Sequence, residues 1–291
     1  MGKTFKAPAA NQVTCTVCSH HCRLIDGQTG FCRARKNSGG RIVPLYYGRV
    51  CGLSLDPIEK KPLAMFHPGT RILSVGSLGC NLRCPFCQNY HISQAGAGPD
   101  AVTAPPTESF TPEELAQLAV DAHRARGNIG LAFTYNEPLV GYEFVRDTSR
   151  LTHEAGLLNA VVTNGSVSLD VLEEILPYID AMNVDLKSFS SEFYEWIRGD
   201  LNQTRAFIER AAADCHVEVT TLIIDGKNDS PREMDELSAW IASVSPDIPL
   251  HITRSFPQWK MPHLRPTPLD RLRELADTAQ RNLNHVFLGN C

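Results

Sequence analysis

The sequence predicts an α/β protein, an incomplete TIM-like barrel of six or seven βα units behind a small Cys-rich N-terminal segment. Three observations carry that reading. Short β-rich apolar runs alternate with helical segments after residue 70, the pattern of a parallel sheet. Six or seven such units, with strands buried on both sides, imply an incomplete barrel. Eight of the ten cysteines fall before residue 90, so a distinct lead-in over 1–69 precedes a barrel over 70–291. A chain of 291 residues is within the size of one barrel core. Alternation alone leaves a doubly wound sheet open.

Strands are expected at 71–78, 130–135, 159–163, 181–186, 217–224 and 250–254, with a seventh at 285–288. Three intervening helices carry start signals: Thr111-Pro112-Glu113-Glu114, Ser230-Pro231-Arg232-Glu233 and Thr267-Pro268-Leu269-Asp270 each place a hydroxyl cap before a proline and an acid. Leu115, Leu118, Ala119 and Ala122 share one helical face, and Met234, Leu237, Ile241 and Val244 another. Both stripes read as core packing. Residues 94–107, rich in Ala, Gly and Pro, read as a surface loop.

A formal charge of -4, with 43% hydrophobic and 21% charged residues, gives no general pull toward nucleic acid. No stretch approaches the roughly 20 apolar residues that span a bilayer, and residues 1–14 lack a signal-peptide run. A cytoplasmic protein is expected. Cysteines in that reducing compartment are read as metal ligands and not as disulfides.

Directly after the first strand comes Gly79-Cys80-Asn81-Leu82-Arg83-Cys84-Pro85-Phe86-Cys87-Gln88-Asn89. A Cys-x3-Cys-x2-Cys loop offers three thiolates to a 4Fe-4S cluster and leaves one iron open, as catalytic metals require. Zinc would need a fourth ligand such as His91, and a plain electron-transfer cluster is the other alternative. The loop resembles the signature of the radical S-adenosylmethionine (SAM) superfamily, which carries an aromatic just before the third cysteine, here Phe86. The resemblance implies a partial (β/α)6 barrel whose open iron is chelated by SAM. It also implies reductive cleavage of SAM to a 5′-deoxyadenosyl radical, with a one-electron donor such as flavodoxin or ferredoxin.

On that resemblance the strand ends should supply the groups that hold SAM. Glu137, in Thr134-Tyr135-Asn136-Glu137-Pro138, stands where the family places an acceptor for the SAM ammonium, with Thr134 and Asn136 beside it and Asn89 at the end of the loop. A plainer reading has Asn-Glu-Pro merely starting a helix. Thr163-Asn164-Gly165 and Asp185-Leu186-Lys187 resemble motifs of enzymes that activate pyruvate formate-lyase. Strand alternation puts Asp185 and Lys187 on one face. Lys187 is assigned to the SAM carboxylate and Asp185 to its ammonium or to orienting Lys187, against a purely structural salt bridge. Thr221 opens a run ending Asp225-Gly226 that resembles a weak adenine-contacting pattern. His251 and Thr253 share a face, and His251 is either a ligand or a satisfied core residue.

Cys15-x2-Cys18-x3-Cys22-x9-Cys32 is a four-thiolate set in a segment too small to fold on apolar burial, so a metal should staple it. Spacing leaves zinc, an auxiliary 4Fe-4S cluster and no metal all open, with zinc favoured. His20 and His21 are spare donors and Cys51 a packed thiol. This set, Asp56-Pro57-Ile58-Glu59-Lys60-Lys61-Pro62-Leu63, Cys87-Gln88-Asn89 and Leu288-Gly289-Asn290 together resemble the AmmeMemoRadiSam-system radical SAM subgroup, related to pyruvate formate-lyase activating enzyme. Three functions follow as candidates: an activase making a glycyl radical on a partner protein, a radical enzyme acting on a small molecule in its own barrel, and a non-catalytic electron carrier. Whether the substrate is a protein or a small molecule is not written in the sequence.

Overall fold

A computed structural model describes residues 11–98 and 101–291; residues 1–10, which include most of the stretch read for a signal peptide, lie outside the described residues. The main sheet has eight strands: β1 (Gly52–Pro57), β2 (Arg71–Gly76), β3 (Asn128–Thr134), β4 (Leu158–Thr163), β5 (Ala181–Asp185), β6 (His216–Ile223), β7 (Leu250–Arg254) and β8 (Val286–Gly289). Strands β2 to β8 are parallel and stand side by side in chain order. A doubly wound sheet reverses its order at a switch point. This one does not, so it winds as a barrel, left unclosed between its edges β1 and β8.

Helices α1 (Pro112–Arg126), α2 (Tyr142–Glu154), α3 (Leu169–Ile175), α4 (Leu201–Ala211), α5 (Pro231–Val244) and α6 (Leu269–Ala279) fill the crossovers. The predicted stripes are core: Leu115, Ala119, Ala122, Met234, Leu237 and Ile241 are buried against the sheet. The caps are less uniform than the sequence suggested. Thr111 makes a full capping box with Glu114, but Ser230 makes no cap bond, and Thr267 donates instead to the Ile223 carbonyl at 2.6 Å. Tertiary demand for a buried carbonyl's partner overrode the local cap at Thr267.

Two other expectations change. Strand β1 lies inside the lead-in yet pairs antiparallel with β2, Asp56 opposite Ile72. Its Gly-Leu-Ser-Leu-Asp-Pro sequence is short and half exposed, so no apolar run announced it. Residues 94–107 are not wholly a surface loop: Gln94 and Ala95 are buried, and Ala95 bridges Val102, while residues 99 and 100 lie outside the described residues. Among the described residues no helix is long and apolar enough to cross a membrane.

Candidate functional site

At the C-terminal ends of the parallel strands, where connecting loops converge, the barrel holds a cavity of about 650 Å³. One wall is the loop after β2, whose Cys80, Cys84 and Cys87 all line it together with Phe86 and Asn89. Local bonds set the loop's path. The Asn81 side chain donates to the Ser166 carbonyl at 2.8 Å, Arg83 N–H to the Ile197 carbonyl at 2.8 Å, and the Asn89 side chain to the Tyr135 carbonyl at 2.8 Å. Phe86 packs near Phe193 and Trp196, with ring centroids 6.0 and 5.7 Å away, which holds the third cysteine's shoulder of the loop.

All ten cysteines are free thiols. Burial pushes the three loop thiols up, Cys84 to about 12, with Lys187 opposing at Cys84 and the Ser93 hydroxyl, 3.3 Å from Sγ, opposing at Cys87. Buried thiols that resist ionisation are poor nucleophiles, and a bound metal charge is what turns such groups into thiolates. Three of them on one cavity wall fit the three-thiolate corner of a 4Fe-4S cluster. Among the described residues no group of three His, Cys, Asp or Glu side chains stands ready to hold a single metal ion. Each thiolate of a four-iron cluster binds its own iron, so the ligands surround a body and not a point.

Asp185 and Lys187 meet on the lining of the same cavity, as the alternation required. Lys187 Nζ lies 2.7 Å from Asp185 Oδ2, and both side chains are mostly buried. Burial works against the ammonium, but Asp185 and the thiols of Cys84 and Cys87 outweigh it, and the pKa rises. Asn164 also lines the cavity; its amide nitrogen is 3.6 Å from Cys80 Sγ and 2.9 Å from Asn81 Oδ1. Thr134 and Asn136 line it too, and Asn136 ties the strand end to the loop by donating to the Gly79 carbonyl at 3.0 Å.

Glu137 borders the cavity and is almost fully buried. Its carboxylate accepts from Thr163 Oγ1 at 2.8 Å, Asn164 N–H at 2.7 Å and Leu139 N–H at 3.0 Å. It therefore caps a 3-10 turn and joins two strand ends, whatever else it touches. Thr163 and Thr221 do not reach the cavity. Thr163 is spent on Glu137, and Thr221 Oγ1 donates to the Leu186 carbonyl at 2.9 Å on the outer face of β6, where Thr220 and Leu222 face inward instead.

His251 lines the same cavity, with Nε2 2.6 Å from Glu218 Oε2. Sequence reasoning missed Glu218. It is wholly buried and also accepts from Ala64 N–H at 2.9 Å, Met65 N–H at 2.8 Å and His216 Nε2 at 2.9 Å. Burial raises a carboxyl pKa, but these donors win and hold it down at about 2. An ionised carboxylate only accepts, so His251 Nε2 is the N–H donor. A lone acid within Val217-Glu218-Val219-Thr220 was the available signal. Tyr135, likewise missed, sits at φ 76°, its hydroxyl donating to Asp56 at 2.8 Å beside the buried Lys61–Asp56 pair of 2.9 Å.

Residues 74–241 match the Radical SAM superfamily. The chain belongs to that superfamily. The family's cofactors are a 4Fe-4S cluster and SAM, and the partial barrel is its fold. Over 96% of its length the chain is 37% identical to an uncharacterized protein of Methanocaldococcus jannaschii, covering 82% of that protein. It is 31% identical to a pyruvate formate-lyase-activating enzyme of Clostridium pasteurianum over 45% of the chain, and spans 52% of that enzyme, about half its length. A radical SAM methyltransferase from Sphaerobacter thermophilus shares the fold at a TM-score of 0.59 and 18% identity, over 77% of this chain and 67% of that one.

Proposed function

We propose that this radical SAM enzyme abstracts a hydrogen atom from a partner polypeptide, as a glycyl-radical-enzyme activase does. The carrying observation is the gathering of Cys80, Cys84, Cys87, Asn164, Asp185 and Lys187 around one cavity beside the unclosed edge of the sheet. The cluster and SAM, when bound, supply the 5′-deoxyadenosyl radical. Cys80, Cys84 and Cys87 would hold the cluster, Lys187 the SAM carboxylate, and Asp185 the SAM ammonium or the Lys187 side chain itself. Glu137 and Asn164 fix the strand ends against the loop. Thr134, Asn136 and Asn89, which line the cavity, would contact the ribose and adenine of SAM.

The polypeptide substrate is supported by the similarity to the Clostridium pasteurianum enzyme and by the cavity's edge. Leu288 of the edge strand β8 lines the cavity and is 42% exposed, an apolar rim at an unpaired strand edge. A one-electron donor of the flavodoxin or ferredoxin type would reduce the enzyme, in a cytoplasm reducing enough to keep its cysteines out of disulfides. The second reading is a small molecule bound inside the barrel. What favours it is the His251–Glu218 pair, a polar group with a fixed tautomer on the cavity lining.

Anaerobic reconstitution with SAM and dithionite tests the shared chemistry, read as 5′-deoxyadenosine. Candidate glycyl radical proteins added to that mixture should acquire a glycyl radical signal by electron paramagnetic resonance. Deuterium arriving in 5′-deoxyadenosine from a small molecule, with no protein radical, would overturn the activase reading in favour of the second. Absence of any 5′-deoxyadenosine would remove both.

A further inference from the structure

Cys15, Cys18 and Cys32 are buried and Cys22 half-buried, and the segment that carries them is not a free-standing appendage. Two hairpins shape it, Val13–Thr14 with Arg23–Leu24 and Arg35–Ser38 with Arg41–Pro44. The Phe31 N–H points at Cys22 Sγ, 3.3 Å away, leaving that thiol supported by backbone as metal-bound sulfurs are. It is held on the barrel by the Arg35–Glu143 ion pair and by Ser168 N–H donating to the Val17 carbonyl at 2.8 Å, and two of its cysteines add direct contacts of their own. Cys80 N–H donates to the Cys32 carbonyl at 3.3 Å. Cys18 bridges Val167 just beyond β4, and His20 Nε2 meets the Asn81 carbonyl at 2.8 Å.

The approach is close enough to dictate a glycine. A Cβ on Gly79 would stand 2.7 Å from Ala34 Cβ and 2.8 Å from the Cys32 carbonyl oxygen, at a φ of +95°. Between the two cysteine sets lies the guanidinium of Arg83. It donates to the Cys80 carbonyl at 3.0 Å and to the Phe31 carbonyl, and sits 3.9 Å from the Phe31 ring centroid. A half-buried cation between two thiolate sets offsets the negative charge that electrons add to both. A structural ion would staple its own segment and needs neither the shared cation nor a ligand-to-ligand contact.

We infer that Cys15, Cys18, Cys22 and Cys32 bind a second 4Fe-4S cluster, and that it relays electrons to the catalytic loop through the Cys32–Cys80 contact. One electron from a flavodoxin- or ferredoxin-type donor reduces the N-terminal cluster from the 2+ to the 1+ state and leaves the donor oxidised by one electron. The same electron then passes to the cluster held by Cys80, Cys84 and Cys87, taking it from 2+ to 1+ as the N-terminal cluster returns to 2+. The relay rests on the SAM-cleaving reading above, whereas the second cluster can be tested without it.

Metal analysis of anaerobically purified and reconstituted wild-type protein should give about eight irons and no zinc per chain, four per cluster. The triple variant Cys80→Ala/Cys84→Ala/Cys87→Ala should keep about four irons, with an S = 1/2 signal after dithionite. Zinc at the N-terminal set, or a wild type with about four irons, overturns the proposal even where the triple variant fails to fold. For the relay, the fully reduced wild-type spectrum should be broadened by spin–spin coupling relative to the triple variant and to Cys15→Ala/Cys18→Ala. A simple sum of the two variant spectra overturns the relay. Wild type that holds eight irons yet cleaves no SAM would sink the SAM reading and leave the second cluster standing.

Discussion

The Glu137 carboxylate accepts the Asn164 backbone N–H at 2.7 Å, tying the end of β3 to the end of β4 inside the cofactor cavity's wall. Burial raises the Glu137 pKa from 4.5 to about 7, against the bonds from Asn164, Thr163 and Leu139 that favour the charge. A group whose folded pKa exceeds its unfolded value binds more protons when folded. Its contribution is therefore full below pH 4.5 and lost as pH rises through about 7. Relative to Glu137→Gln, wild type should lose on the order of 3 kcal/mol across that window. Thermal denaturation from pH 4.5 to 7.5 checks it, and parallel curves for the two proteins would show that Glu137 does not titrate there.

Cys80→Ala, Cys84→Ala and Cys87→Ala should each abolish SAM cleavage and the visible absorbance of the catalytic cluster, because two thiolates cannot hold four irons in this loop. The fold should survive, since Cys80 and Cys87 pack at the margin of the core and alanine keeps the Cβ at the buried Cys84 as well. Circular dichroism with a SAM-cleavage assay on each variant tests this; one active variant is enough to refute the ligand assignment.

The barrel was legible because short apolar β-rich runs alternate with helical segments from Arg71 onward, two of those helices striped and one fully capped. Cysteine spacing and the alternation of Asp185 and Lys187 likewise survive translation into space, because both depend on local geometry alone. What stayed hidden depends on contacts distant in sequence. Glu218 acquires its meaning from Ala64 and Met65, 154 and 153 residues away. Thr221 and Thr220 are adjacent and equally polar, so one residue of register decides which of them faces the cavity. The contact between Cys32 and Cys80 has no counterpart in any motif, since it is made by backbone atoms.

Lys187→Ala should weaken SAM binding without loss of the catalytic cluster. A charge-assisted hydrogen bond is worth roughly 1.5–3 kcal/mol, a loss of about 10- to 100-fold in affinity. Asp185, now without the ammonium 2.7 Å away, would add like-charge repulsion toward the SAM carboxylate. Equilibrium binding of SAM to the reconstituted variant, with iron content measured in parallel, gives the answer. Unchanged affinity with full iron would return the pair to a structural salt bridge.

Glu218→Gln isolates the buried carboxylate beneath the cavity. Its pKa is depressed from 4.5 to about 2, so the stability it contributes is full above pH 4.5 and lost as pH falls through about 2. That window lies below the one set by Glu137, where the sign is opposite, so the two can be read in one titration. At pH 7 the variant should be less stable by on the order of 3 kcal/mol, since its amide cannot accept from two backbone N–H groups and two histidines at once. The gap between wild type and variant should close between pH 4.5 and about 2 as wild-type Glu218 takes up its proton. The neutral side chain also frees the His251 ring from its fixed tautomer, which ¹⁵N chemical shifts of the labelled imidazole report directly. A stability gap that stays constant with pH, together with unchanged His251 shifts, would mean that Glu218 is neutral in the folded protein and that the pair is an ordinary core contact.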